Sequence, residues 1–93
     1  MTASILDNNK CCYICGRGYP LHKHHIFYGT GRRQLSDDYG CWVYLCPMHH
    51  NMSNRGVHMN RELDLYLKER AQIAFEEKYG HERYMKVFGR NYI

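Results

Sequence analysis

Two short motifs carry residues suited to metal chemistry. They are Cys12-Tyr13-Ile14-Cys15 and, thirty residues further on, Cys46-Pro47-Met48-His49. Zinc takes four ligands in a tetrahedron and favours thiolate and imidazole. Two ligands separated by two residues can grip one ion from a single turn, and a second such pair completes the shell. The set Cys12, Cys15, Cys46 and His49 leaves no open position, so the spacing predicts a closed, structural zinc. A redox role for the first pair lacks the surrounding βαβ pattern. Cys11 adjoins Cys12 and can compete as a ligand. Cys41 reads as a small buried hydrophobe.

Histidine is the second signal. Six of the seven histidines fall between His22 and His58. His24 and His25 are consecutive in a β-compatible stretch, so they point to opposite faces and cannot play the same part. His49 and His50 are about 100° apart on a helix, so one can close the zinc site while the other faces the strand. Any of His22, His24 and His25 could also replace His49 in the tetrahedron.

The elements that must position these groups follow from local patterns. Cys11 to Gly18 reads as a tight knuckle, with Gly16 supplying a positive φ. Leu21 to Tyr28 reads as a strand. Gly29 to Arg33 and Ser36 to Gly40 read as two turns or loops. Cys41 to Leu45, aromatic and branched, reads as the returning strand. Pro47 suits the first turn of a short helix, from about Met48 to Asn54. Asn60 to Tyr79 is the strongest helix: Asn60 can cap it, Glu62 and Asp64 suit its dipole, and Leu63, Leu67, Ala71, Ala74 and Phe75 form one stripe. Gly80 closes it, and Glu82 to Phe88 forms a last short helix. The prediction is an α+β domain spanning 1–93. Residues 1–10 form a flexible arm, 11–58 a treble-clef-like zinc core, and 60–93 a helical extension.

Bulk properties narrow the class. A chain of 93 residues has a marginal core, which a metal commonly supplements. Five cysteines cannot all pair within the chain. The first ten residues lack the basic start and apolar run of a signal peptide, and no segment suits a membrane span. A cytoplasmic protein with reduced thiols is therefore expected. The formal charge is +4. Residues 1–59 hold six basic and three acidic side chains, and residues 60–93 hold seven and six. The positive field thus accompanies the cysteines and histidines, which suits a polyanionic partner.

The sequence Cys-x-x-Cys, then His24-His25-Ile26, then a returning strand ending Leu45-Cys46-x-x-His49-His50 resembles the zinc-containing HNH endonucleases. Their core is the ββα-metal, or His-Me, finger. The likeness covers about residues 11–58; the tail ending Phe88-Gly89-Arg90-Asn91-Tyr92 is less specifically similar to small phage and prophage members. The resemblance implies that His25 is the general base and that His24 and His50 hold a catalytic magnesium or manganese ion. Asn54, one turn beyond His50, is a candidate further ligand, and His58 a weaker one. The usual motif Asn is replaced by Cys41, so Asp37, Asp38 or the backbone braces the base, or the activity is weak.

Phosphodiester hydrolysis suits these residue types. A neutral histidine can take a proton from water near pH 7. A divalent cation offsets charge on the phosphate and leaving oxygen. Arg32, Arg33 and Arg55 can hold the DNA backbone. The rival expectation is a module that binds DNA or a protein partner without cutting. No recognition helix stands out, and the helical extension either packs on the core or forms a homodimer through the C-terminal helices.

Overall fold

The computed structural model describes residues 3–29, 31–50 and 60–93. Strand β1 (His22–His25) and strand β2 (Trp42–Leu45) pair antiparallel, with His22 opposite Leu45 and His25 opposite Trp42. Helix α1 (Arg32–Tyr39) lies between them in sequence, and helix α2 (Pro47–His50) follows β2 directly. The long helix α3 (Arg61–Tyr79) and the short α4 (His81–Val87) complete an α+β fold.

The first strand is shorter than the expected Leu21–Tyr28 span. Ile26 N–H still donates to the Cys41 carbonyl at 3.0 Å. Phe27 then leaves the ladder, because its N–H and C=O both bond the hydroxyl of Ser36, at 2.9 and 2.7 Å. Those bonds also explain the main correction to the sequence reading. The segments read as two turns contain helix α1, bounded by Gly31 and Gly40, both at positive φ. Leu35, Ser36 and Tyr39 turn inward, and Tyr39 packs its ring 5.2 Å from that of Phe75. Tertiary packing thus converts a polar stretch into a helix.

Ser36 is fully buried and meets both backbone groups of Phe27. Ser36→Ala is expected to cost about 2–4 kcal/mol, since two buried backbone groups lose their partner. Urea unfolding would show a lower midpoint with an unchanged slope.

From Ala3 onward the N-terminal segment makes contacts across the fold. Ser4 is buried and its hydroxyl donates to the Trp42 carbonyl, while Ile5 N–H bonds the Gly40 carbonyl at 2.9 Å. Gly40 has φ of +74°, and a Cβ there would collide with the Ala3 carbonyl. Glycine is therefore required where the arm crosses.

Helix α3 follows its sequence signals. The Asn60 side chain accepts from Leu63 N–H at 3.1 Å, and Gly80 N–H bonds the Glu76 carbonyl. Leu67, Ala71 and Phe75 are buried, joined by Gln72. This face meets Phe27, Tyr84 and Phe88; the rings of Phe27 and Phe88 stack at 4.2 Å. The helical extension therefore packs on the core. Among the described residues, no helix is long and apolar enough to cross a membrane.

Candidate metal centre and histidine groove

The knuckle is a closed turn. Gly16 N–H donates to the Cys12 carbonyl at 2.9 Å, and Cys12 N–H to the Arg17 carbonyl at 2.8 Å. Gly16 takes φ of +80°. Tyr13 N–H bonds the Tyr44 carbonyl at 2.8 Å, which fixes the knuckle beside β2. From the other side, the first turn of α2 presents His49, whose N–H bonds the Cys46 carbonyl at 3.0 Å.

These two turns bring Cys12, Cys15, Cys46 and His49 together, with one donor atom from each within 4.8 Å of all the others. Cys15 Sγ is 3.6 Å from Cys46 Sγ; His49 Nδ1 is 3.3 Å from Cys46 Sγ and 3.8 Å from Cys12 Sγ. A zinc tetrahedron with bonds of about 2.1–2.3 Å has edges of roughly 3.5–3.8 Å. The donor types and spacings therefore fit a metal such as zinc, and the sulfur separation is too long for a disulfide. Cys11 lies outside the cluster. Cys41 is fully buried, and burial pushes its thiol up to about 12.

The thiols respond differently to their surroundings. Desolvation raises Cys12, but backbone hydrogen bonds at Cys46, Cys15 and Ile14 outweigh it and bring the thiol down to about 6. At Cys15 the Arg17 backbone favours the thiolate, yet desolvation and the sulfurs of Cys46 and Cys12 outweigh that and raise it. A dication held between the sulfurs would favour their thiolate forms.

Next to this cluster, β1 deals its histidines to two sides. His22 and His24 both meet His50. The Nδ1 atoms of His22 and His50 are 2.9 Å apart, and the His24 and His50 rings are 5.4 Å apart. His24 is buried. His25 faces α1 instead: its Nε2 is 3.5 Å from Asp37 Oδ1, and its Nδ1 accepts from Arg33 Nε at 3.4 Å. Desolvation, helped by Lys23, lowers His25 below the usual imidazole range despite the opposing pull of Asp37. That shift favours the neutral imidazole. Lys23 pairs with Asp37, and their hydrogen bond holds that carboxyl below the ordinary carboxylate range.

His24, His25, His50 and Arg33 all line one cavity of about 440 Å³, with Lys23 and Tyr28. A second hollow, of about 540 Å³, lies on the Asp37 side of His25 and shares His25 and Arg33. His25 thus stands between two concave surfaces with an arginine beside it. Arg32 does not join this groove; it lines a different cavity with Lys68 and Arg90. Asn54, Arg55 and His58 lie outside the described residues.

No family model, curated protein or solved structure matches this chain.

Ser36, and the part played by His22 beside His50, were not singled out from the sequence. Ser36 sits in a stretch of turn-forming residues with no motif around it. His22 carried a signal, because it lies two residues before His24 and must share its face of β1.

Proposed function

We propose that this chain is a metal-dependent endonuclease of the HNH, or His-Me finger, type, acting on DNA. The observation that carries the reading is one groove holding His24, His25, His50 and Arg33 beside a four-ligand Cys and His cluster. In this reading Cys12, Cys15, Cys46 and His49 hold a structural zinc in a treble-clef-like setting. That zinc fixes the end of β2 and the start of α2, and so fixes His50 against β1.

His25 is the general base. With a proton on Nε2 facing Asp37, Nδ1 is the basic nitrogen; it accepts from Arg33 Nε in this structure and takes a proton from water once Arg33 turns to the phosphate. Arg33, next to Nδ1, holds the phosphate through charge-assisted hydrogen bonds. His24 and His50 are the protein ligands for a divalent cation. When bound, that cation offsets negative charge on the phosphate and the departing 3′ oxygen. With Nδ1 engaged by His22, Nε2 is the nitrogen through which His50 would bind, an orienting contact common around ligating histidines. Of magnesium and manganese, manganese accepts imidazole donors more readily, since magnesium keeps to oxygen ligands and water.

The family's motif Asn has no counterpart at Cys41, and two other groups take over its bracing. Asp37 contacts the base, and Ser36 holds the backbone just beyond β1. Asp38 is turned to Gln34 instead.

The test is cleavage of supercoiled plasmid by zinc-loaded protein, with no added cation, with magnesium and with manganese. Nicking that requires an added cation, and is fastest with manganese, is expected. No cutting under any of these conditions would replace the nuclease reading with that of a binding module.

A further inference from the structure

Beyond the catalytic groove, three cations from separate parts of the chain converge on a smaller cavity. Arg32 comes from the first turn of α1, Lys68 from α3, and Arg90 from the segment after α4. Tyr28, Tyr92, Phe27 and Phe88 line it as well. Its volume is about 180 Å³, well below the roughly 300–1,000 Å³ of a small-molecule site. It suits a point contact with a charged group.

The cavity has built walls. Buried Gln72 accepts from Tyr92 N–H at 2.6 Å and donates to the Asn91 side chain at 2.6 Å. The Tyr84 hydroxyl, from a fully buried side chain, donates to the Arg90 carbonyl at 2.6 Å. Two interior polar groups therefore serve to pin the segment that carries Arg90 and Tyr92. Lys68 is held by Asp64 at 2.7 Å, with its ammonium 4.3 Å from the Tyr28 ring centre. Among the described residues, neither Arg32 nor Arg90 has a carboxylate within ion-pair distance. Like charges gathered this way favour an anion between them.

Tyr28 lines both this cavity and the groove of His24, His25 and His50. The two cavities thus meet at one shared side chain. We infer that the Arg32, Lys68 and Arg90 cavity is an anchoring subsite for a flanking backbone phosphate of the same DNA strand that lies in the histidine groove. The inference rests on the nuclease reading for the direction of the strand, and it gives the helical extension a part in binding. Phosphate contacts of this kind position a strand without reading its sequence.

The test is fluorescence anisotropy with a labelled single-stranded 20-mer and its duplex. Zinc-loaded protein is used without further divalent cation, so that nothing is cut. Arg90→Gln is expected to weaken binding about five- to tenfold and to reduce the slope of log affinity against log salt by about 1. Arg90→Lys should recover part of the loss. Arg83→Gln, an exposed charge on α4 outside both cavities, should bind like wild type. The Arg90 carbonyl keeps its bond to Tyr84 in every variant, and the side chain gives up a guanidinium 5.4 Å from the Tyr92 ring centre, so the melting temperature should change little. Arg90→Gln binding within twofold of wild type, or Arg83→Gln losing as much, would overturn the subsite. Plasmid nicking separates the two readings. An Arg90-dependent binder that nicks nothing supports the subsite and overturns the nuclease, whereas a nicking enzyme indifferent to Arg90 does the reverse.

Discussion

Cys15→Ser is expected to leave the chain unfolded and without zinc. The position is chosen because Cys15 is exposed, so serine there removes almost no packing. Any large loss must come through the metal. Structural zinc sites in small peptides contribute roughly 10–16 kcal/mol of apparent binding energy. A domain of this size has a total stability of only about 5–15 kcal/mol. Losing one of four ligands should therefore cost most or all of the folded state. Circular dichroism should show loss of helix, and metal analysis should fall from one zinc per chain towards none. Cys41→Ala is the matched control. It removes a fully buried sulfur that is not a ligand, and should cost only about 1–2 kcal/mol. A Cys15→Ser protein that melts like wild type would refute a structural role for the cluster.

His25→Ala should behave in the opposite way. General base catalysis contributes about 10²–10⁴ in rate, so nicking should fall by at least about a hundredfold. The fold should survive, since His25 is outside the hydrophobic core and its side-chain contacts are to Asp37 and Arg33. Zinc content and melting temperature should stay at wild-type values. His25→Ala protein that cuts as fast as wild type would remove His25 from the chemistry while leaving the metal cluster untouched. The two variants together would distinguish a metal that holds the fold from a groove that acts on a substrate.

The parts of the structure legible in sequence are those set by short-range rules. Ligand pairs two residues apart announce a metal cluster, because one turn can present both members. Asn60, Gly80 and the stripe through Leu67, Ala71 and Phe75 mark α3, because capping and helical period are local. The opposite orientations of His24 and His25 follow from the pleat of one strand. Helix α1 was not legible. Its inward face consists of Leu35, Ser36 and Tyr39, and a buried serine does not register as apolar. Its helical state depends on Tyr39 reaching Phe75, far along the chain, and on Ser36 reaching the Phe27 backbone, contacts that hydrophobic periodicity does not register. The same holds for Ser4, which reads as part of a polar arm but bonds the Trp42 carbonyl across the fold. Arg32 and Arg33 read as one basic pair, yet consecutive helical positions diverge, and they line different cavities.

The most direct test of the central claim is whether the nicks can be sealed. Water activated by His25, with the 3′ oxygen departing, must leave a 5′-phosphate and a 3′-hydroxyl, the ends that DNA ligase joins. Supercoiled plasmid treated with zinc-loaded protein and manganese should give open circles that ligase converts to closed circles without further end repair. Failure to form open circles, or open circles that ligase cannot close, would contradict the account.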